Sequence, residues 1–514
     1  MAIDELLEDP ADATHRWYSD SVLNLPAAPE YATGEVLLAG VCRRLILGIS
    51  EGQIDLEKIA DLPDELAAAG SPLSPADWGR LLDEPGGLRS PTVKGQSRSK
   101  VLPQLCPIVP AVTARAGVLG KPRGRWNPGN LAISSLAAGA SATDAHVLLT
   151  RLRQHLIVGE GDDFAARFID REFSRLRVEA LPTEDAVMAD LAPRLQMAPR
   201  RAAPRPPATP AEQACADLPY VLALKGRLTR RQWTSLLEGF LRLVLGAHVL
   251  WLCRLNQRCW TRALAALDPD APVPTVEELE RECFQHHANG MPILHLGQNA
   301  LPLLRAHVEQ YVVARFGFSV LAHSGATLPP LHETGRPIAN FASDFHSFLA
   351  WLRAHRTEFS LEAGMPPGTW VRSTLAQVLD RHPKFAAAGK GTFGNNLMEY
   401  LRHTLGQMQP TYEQDSEYDQ SYLLRRAGNS WQVNPGPAMQ LLWVHLCCRG
   451  TGGNASLLDL SAYLRNYGIS LPEIQATRQA PMRLEQLGLV VDSPDAAGGR
   501  MLVDPFPTGG HITP

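Results

Sequence analysis

The chain contains few cysteines for its length. Eight cysteines in 514 residues are too few for the disulfide framework of a small secreted protein. Most of them stand in apolar runs, where a thiol behaves as a small buried hydrophobe. The first residues, Met1–Glu5, are acidic and lack the basic and apolar regions of a signal peptide. We therefore expect a protein of the reducing cytoplasm. Lysine is also scarce, with 7 lysines against 42 arginines, a bias that indicates GC-rich, bacterial coding.

A long hydrophobic run without charge is missing as well. The most apolar stretch, Leu236–Leu255, contains Glu238, Arg242, His248 and Arg254. A helix that spans a bilayer needs about 20 residues nearly free of charge. The sequence therefore predicts a buried core helix and no membrane partner. The formal net charge of -4 does not point to a polyanionic partner either.

Familiar catalytic motifs and cofactor motifs are scarce. The sequence has no Walker A motif and no H-E-x-x-H motif. Gly389–Gly394 matches G-x-G-x-x-G, but a helical pattern precedes it where a dinucleotide site needs a strand, so we interpret it as a turn between helices. We expect no cofactor and favour a protein without catalytic activity. A catalytic triad scattered along the chain stays open, because its members need not be close in sequence.

One segment carries a partial zinc-ligand pattern. Cys283-x-x-His286 has the spacing of a ligand pair, but no clean second pair follows. One interpretation is a metal-dependent hydrolase or nuclease around Cys283–His295. The other, which we favour, is a set of buried cysteines and surface histidines without a metal. The side chains concerned are Cys253, Cys259, Cys283, His286, His287 and His295.

Charge is segregated near the N-terminus. Residues 1–84 contain 17 acidic and five basic residues, whereas residues 85–143 contain no acid and eight bases. The two segments either neutralise each other in one domain or expose a surface for phosphate groups. We favour neutralisation, because the basic segment has few aromatic residues to stack on bases. The candidate basic patch consists of Lys94, Arg98, Lys100, Lys121, Arg123 and Arg125.

The middle of the chain is predicted to be a helical bundle. Thr229 and Gln232 form a capping-box pattern that starts a helix reaching about Leu267, with a bend expected at Gly239 or Gly246. A second helix is predicted to follow Thr275 as N-cap. Four further helices are predicted at Ala300–Phe316, Phe341–Glu358, Val371–Arg381 and Asn395–Met408.

The C-terminal region is predicted to form a winged-helix-like module. Three helices are followed by two short strands with a Pro- and Gly-containing tip, which is the order of a winged helix. The helices are predicted at Pro437–Cys448, Ser456–Tyr467 and Pro472–Leu487, and the strands at Leu489–Val491 and Met501–Val503. The candidate DNA-contacting residues are Gln475, Arg478, Gln479, Arg483 and Arg500. Many winged helices bind proteins instead, and Asp492 and Asp495 in the wing would repel phosphate. The protein-binding alternative is therefore favoured.

These patterns predict a mainly α, multi-domain protein. A Pro- and Arg-rich stretch is expected to be an extended linker, since proline interrupts helices. The predicted units are residues 1–192 (mixed and charge-segregated), 193–212 (linker), 213–410 (helical bundle) and 411–514 (acidic loop and winged-helix-like domain).

The C-terminal region also resembles a known group of proteins. Ser421–Arg426, Trp431, Asn434–Pro437 and Leu487–Asp495 are similar to the tail of helical accessory components of bacterial anti-phage defence islands, in methylation- or phosphorothioation-associated systems. The resemblance implies a non-catalytic scaffold or a DNA-contacting subunit, with other defence subunits and double-stranded DNA as its partners. It supplies no catalytic residues. A protein–protein adaptor or regulator is the alternative.

Overall fold

A computed structural model describes most of the chain in separate stretches. The described residues are 16–19, 21, 23–25, 37–48, 61–83, 88, 106, 108–113, 128–140, 142–176, 181–195, 209–284, 293–324, 327–331, 341–359, 364–386, 389, 391–407, 421–452, 455–471, 483–492 and 500–507.

The structure is mainly helical, which confirms the mainly α character of the predicted fold. The helices of the first half are α1 (Arg16–Ser19), α2 (Leu37–Cys42), α3 (Leu62–Ala68), α4 (Pro75–Asp83), α5 (Pro110–Thr113), α6 (Pro128–Ala137), α7 (Ala142–Leu156), α8 (Phe164–Ser174), α9 (Glu184–Leu195), α10 (Pro210–Ala223) and α11 (Arg230–Ala266). The helices of the second half are α12 (Val276–Phe284), α13 (Leu301–His323), α14 (Phe341–Ala354), α15 (Pro367–Arg381), α16 (Phe393–Leu405), α17 (Pro437–Gly450) and α18 (Leu457–Arg465). A π-helical turn, Arg43–Leu47, continues α2, and short 3-10 turns lie at Leu224–Gly226, Arg356–Phe359 and Pro383–Phe385.

Among the described residues the strands are short and lie in three pairs. The first pair is parallel and the other two are antiparallel hairpins. In chain order the strands are β1 (Leu294–His295), β2 (Leu424–Ala427), β3 (Ser430–Val433), β4 (Ile469–Ser470), β5 (Val490–Asp492) and β6 (Arg500–Leu502), with β1 on β4, β2 on β3 and β5 on β6.

Helix α11 is the centre of the fold, and we call it the central helix. It starts where the sequence predicts, because Thr229 and Gln232 satisfy each other's backbone N–H groups in a capping box. Residues 233–256 are buried without interruption. The helix is long and apolar enough to cross a membrane, but its most apolar window lies entirely inside the fold. Its neighbours are α2, α6, α10, α12, α13, α14, α16 and α17.

Two buried charges on the central helix cap other helices. The Glu238 carboxylate accepts hydrogen bonds from the backbone N–H groups of Leu37 (3.0 Å) and Leu38 (2.5 Å), at the N-terminus of α2. One turn later, the Arg242 guanidinium donates to the carbonyl of Thr404 at 2.6 Å and also to the carbonyls of residues 403 and 406, at the C-terminus of α16. Both signs suit the helix dipoles. Burial raises the pKa of Glu238, and Arg242 and the two N–H groups oppose that shift.

Glycines mark the places where helices cross closely. The central helix runs unbroken through Gly239 and Gly246, where the sequence predicts a bend. A Cβ on Gly246 would lie 2.4 Å from Leu405 Cδ2 of α16. A Cβ on Gly129 of α6 would lie 2.3 Å from the backbone carbon of Gly40 in α2. These positions need glycine because neighbouring helices occupy the space that a methyl group would fill.

The stretch predicted as an extended linker, 193–212, is helical at both ends. Helix α9 continues to Leu195, and α10 begins at Pro210. Proline is tolerated in the first turn of a helix because its missing N–H would have no intrahelical partner there. A capping box and the burial of the first turn then start α10 inside the proline-rich stretch. Residues 196–208 lie outside the described residues.

The other predicted helices of the middle region exist with shifted ends. Helix α12 begins after Thr275, whose side chain caps the backbone N–H of Glu278 at 3.2 Å. Helix α13 continues past the predicted end to His323, because Phe318, Val320 and Leu321 keep its buried face apolar. The remaining three correspond to α14, α15 and α16.

Candidate interaction site

The C-terminal module is a set of helices closed by a hairpin. Helix α17 is followed by a bridge between Ser456 and Met501, by α18, by a turn at 483–488 and by the β5–β6 hairpin. Strand β6 lies between β5 and the residues that precede α18. The N–H of Leu502 donates to the carbonyl of Ala455 at 2.7 Å. The ribbon predicted at 489–503 is therefore present, with a third strand-like segment beside it.

Local sequence explains how the module is built. Ser456 and Asp459 form the capping box that starts α18. The turn before the hairpin ends at Gly488, whose φ of 69° belongs to the left-handed region. The N–H of Leu489 donates to the carbonyl of Leu484 (2.8 Å), and that of Gly488 to the carbonyl of Glu485 (3.0 Å). This pattern is a Schellman motif, a common end of a helix.

The predicted DNA-contacting residues are only partly described. Arg500 lies in β6 and forms an ion pair with Glu485 at 2.6 Å, so its charge is compensated within the module. Arg483 is exposed in the turn before the hairpin. Gln475, Arg478 and Gln479 lie outside the described residues, as does most of the predicted third helix. Of the candidates that the structure describes, only Arg483 is an exposed cation.

The hairpin exposes apolar side chains. Val491 in β5 is 49% exposed, and Val503, just after β6, is 38% exposed. Val491 pairs with Met501, and Val503 follows two residues later, so both valines lie on the same face of the ribbon. Leu458, in the first turn of α18, is 57% exposed. The described part of the module therefore exposes three apolar side chains, two of them on one face of the hairpin.

A buried polar cluster holds the module on the body of the protein. Asp217, on α10, is 3% exposed. Its Oδ2 accepts hydrogen bonds from the hydroxyls of Tyr463 and Tyr467, both at 2.7 Å, and its Oδ1 accepts one from Gln213 Nε2 at 2.9 Å. Asn466 Nδ2 donates to Gln213 Oε1 at 2.6 Å. We call these five residues the Asp217 cluster.

The Asp217 cluster is an anion held by neutral donors. Burial raises the pKa of Asp217 to about 6, against the lowering effect of the two tyrosine hydroxyls, Gln213 and the more distant His445. Around neutral pH the carboxylate is therefore mostly ionised and accepts three hydrogen bonds. Hydrogen bonds to a charged acceptor are stronger than those between neutral groups. Because both tyrosine hydroxyls donate to the same buried carboxylate oxygen, the cluster favours one orientation of α18 on α10.

A second tie fixes the residues that follow the hairpin. Asp504 accepts from His445 Nδ1 at 2.8 Å and pairs with Arg449 at 3.1 Å, both on α17. Burial opposes ionisation of Asp504, but the hydrogen bonds from His445 and from the backbone N–H of Phe506 lower its pKa overall. Arg227, which precedes the central helix, donates to the carbonyl of Phe506 at 2.7 Å.

Backbone pairing joins the module to the middle of the chain. Strand β1, which precedes α13, pairs in parallel with β4, which follows α18. The N–H groups of Ile293 and Leu294 both donate to the carbonyl of Gly468, at 2.9 and 2.8 Å. The hairpin β2–β3 is attached to the same segment, since the N–H of Ala300 donates to the carbonyl of Trp431 at 2.7 Å. The module is thus seated on both α10 and the β1 segment.

The other predicted sites give mixed outcomes. All six residues of the candidate basic patch, Lys94, Arg98, Lys100, Lys121, Arg123 and Arg125, lie outside the described residues. The Gly389–Gly394 motif follows α15 and the 3-10 turn and leads into α16, with Thr392 as N-cap. Gly389, Gly391 and Thr392 therefore lie in the connection between helices, as the sequence predicts, and Phe393 and Gly394 begin α16. Sequence reasoning missed one further motif, since residues Gly48–Gly52 match G-x-S-x-G. A helix and its π-helical turn precede Gly48, where a nucleophile elbow has a strand.

The cysteines near the candidate metal site are buried. The Cys259 thiol on the central helix interacts with Cys283 on α12, and its pKa is raised, first by burial and then by Cys283. His295 lies in β1, while His286 and His287 lie outside the described residues. Within the described part of the chain, no group of three or more His, Cys, Asp or Glu side chains could hold a metal ion.

Comparison of the chain with protein-family models, with the curated proteins and with the solved structures gives no match.

The Asp217 cluster is the part of the site that sequence reasoning missed. Gln213 and Asp217 stand four residues apart on α10, and Tyr463 and Tyr467 stand four residues apart at the end of α18. Residues with this spacing share one face of a helix. Two such pairs, each set among apolar residues, are a signal that could have suggested a buried polar contact between distant segments.

Proposed function

We propose that this chain is a non-catalytic scaffold subunit of a bacterial anti-phage defence complex, acting in the cytoplasm, and that its C-terminal module docks another subunit. The observation that carries the proposal is the attachment of the module to the rest of the chain through the Asp217 cluster and the β1–β4 pairing. Its described elements are a helix, a strand-like bridge, a second helix, a turn and a hairpin, and this order supports a winged-helix-like interpretation. The assignment to a defence complex rests on the resemblance of the region from Ser421 onward.

The exposed face of the hairpin supports a protein partner. Val491, Val503 and Leu458 are apolar and exposed, whereas Arg500 is paired with Glu485. The fully buried centre of a protein interface is rich in apolar side chains and poor in charge. A surface that reads DNA instead needs cations to neutralise phosphates. The described part of the module therefore favours contact with a protein.

A binding experiment with neighbouring gene products tests the proposal. The full chain is tagged and incubated with each protein encoded beside it, and the retained partners are quantified. A Val491→Asp, Val503→Asp variant is expected to lose a partner that the unaltered chain retains. Val313→Asp, at a similarly exposed apolar position on α13 (38% exposed), is the matched control and should retain it. Retention by both variants, or no partner for the unaltered chain, would contradict the proposal.

DNA contact by the same module is the second candidate function. The exposed Arg483 and the winged-helix-like order favour it. An electrophoretic shift with duplex DNA at low salt, where phosphate contacts are strongest, separates the two. Binding that Arg483→Glu abolishes would support this candidate, and the absence of a shift would remove it.

A further inference from the structure

Helix α8 carries the most exposed aromatic side chain in the described part of the chain. Phe164, at its first position, is 75% exposed. Its ring stacks on that of Phe168, with centroids 6.1 Å apart, and Phe168 stacks on the fully buried Trp78, also at 6.1 Å. Trp78 is fixed by a hydrogen bond from its indole N–H to Ser71 Oγ at 2.9 Å. Three rings thus form a supported stack that leads from the core to an open outer ring.

Arginines line the same face of α8. Arg167, Arg171 and Arg175 follow Phe164 by three, seven and eleven residues, which places all four on one stripe of a helix. All three arginines are exposed. The Arg171 guanidinium lies 5.5 Å from the centroid of the Phe168 ring. Successive arginines are one turn apart, a rise of about 6 Å.

A buried carboxylate pairs with two of these arginines. Glu172, whose side chain is fully buried, accepts from Arg171 Nε at 3.0 Å and pairs with Arg175 at 3.4 Å. Arg175 also donates to the carbonyl of Gly70. One buried carboxylate therefore faces two guanidinium groups, and Arg167 adds a third positive charge on the stripe.

The other acids of α8 are turned to different partners. Asp163 caps the helix through the N–H of Ala166 at 2.9 Å, and its other oxygen accepts from the N–H of Arg230 at 2.7 Å. Asp170 interacts with the Arg230 guanidinium. The stripe from Phe164 to Arg175 consequently has a positive balance beside an exposed aromatic ring.

We infer that this stripe binds single-stranded nucleic acid, with a base stacked on Phe164 and phosphates on Arg167 and Arg171. Surfaces that bind single strands combine aromatic platforms with cations along the backbone. A duplex offers phosphates but keeps its bases paired and stacked, so it cannot use the platform. A protein partner would have to supply several carboxylates in one row, whereas a single strand supplies both kinds of group at once. The residues of this surface lie outside the C-terminal module. Binding of nucleic acid here would therefore be a function additional to the proposed scaffold role.

Fluorescence anisotropy with the full chain tests the inference. The probes are an unstructured DNA oligonucleotide and an RNA oligonucleotide of about 16 nucleotides, the upper site size per module of such surfaces, with a duplex of equal length and heparin as competitors. We expect at least one single strand to bind more tightly than the duplex. Phe164→Ala should weaken binding about 5-fold or more, as expected for the loss of one stacked base, and Phe164→Trp should restore it. Arg167→Ala should reduce the dependence of binding on salt.

Matched controls separate this surface from general charge effects. Arg372, exposed on α15, is replaced by alanine and should leave binding unchanged. Because Phe164 and Arg167 are exposed, their variants should keep the unaltered unfolding midpoint. No binding of either strand at low salt, equal binding of the duplex, or wild-type affinity of Phe164→Ala would each overturn the inference. The Val491→Asp, Val503→Asp variant should still bind the oligonucleotide, which distinguishes failure here from failure of the proposed scaffold role.

Discussion

Removal of either tyrosine hydroxyl from the Asp217 cluster should destabilise the whole chain. Tyr463→Phe and Tyr467→Phe each delete one donor to the same carboxylate oxygen and leave the ring in place. A hydrogen bond to a charged group contributes about 1.5–3 kcal/mol. We expect each variant to lower the free energy of unfolding by about that amount. Asp217 should also titrate at higher pH, because each hydroxyl lowers its pKa.

Urea denaturation followed by tryptophan fluorescence measures this loss. Tyr220→Phe is the matched control, since Tyr220 lies on α10 and is 39% exposed; its effect should stay below about 0.5 kcal/mol, as for most surface substitutions. The double variant should differ from the sum of the two single ones, because both hydroxyls share one acceptor. If Tyr463→Phe and Tyr467→Phe unfold at the midpoint of Tyr220→Phe, the cluster does not hold the module.

Three further predictions concern charge and packing. Gly129→Ala should lower the free energy of unfolding by about 3 kcal/mol, the upper end for overpacking, while Gly79→Ala, with open space around it in α4, should raise it by about 0.5–1 kcal/mol; similar midpoints in denaturant for the two would refute this. Arg242→Met should cost about 3 kcal/mol in the same assay, because two buried carbonyls and one partly buried carbonyl lose their donor; a midpoint equal to that of the unaltered chain would argue against the cap. The raised pKa of Asp217, about 6 against about 3.9 in an unfolded chain, makes the folded state bind more protons. The stability from this group is therefore fully present only below the unfolded pKa and is lost as pH rises through 6. The unaltered chain should gain about 2 kcal/mol relative to Asp217→Asn between pH 7 and 4; a gap that stays constant with pH would exclude the linkage.

Sequence patterns of short range predicted the helical elements well. The capping box at Thr229 predicted the start of the central helix, and two short apolar segments around a Pro- and Gly-containing tip predicted the β5–β6 hairpin. Both patterns involve residues that are close in sequence, so they can be recognised without knowledge of the fold. The prediction of an extended linker was wrong at the ends of the proline-rich stretch. At the second end, Pro210 occupies the first turn of α10, where proline is compatible with a helix.

The contacts that build the candidate site were not accessible in this way. Asp217 and Tyr463 are 246 residues apart in the chain, and only the packing of α18 on α10 brings them together. The sequence does not show that Arg500 has an ionic partner, yet in the structure Glu485 forms an ion pair with it. The helical spacing of the stripe on α8 is visible in the sequence. The position of its aromatic rings, however, depends on Trp78, which stacks on Phe168 from another helix. Single-sequence patterns carry no information about such partners.

The two end caps supplied by the central helix limit how the body can move. Glu238 and Arg242 are one turn apart and have opposite charges. Glu238 caps the N-terminus of α2, and Arg242 caps the C-terminus of α16. A slide of the central helix by one turn, about 5.4 Å, would break both caps at once and leave two helix ends without counter-charge. Piston-like motion along this axis is thereby disfavoured. A conformational change that links bound partners would then involve reorientation of the outer helices around the central helix.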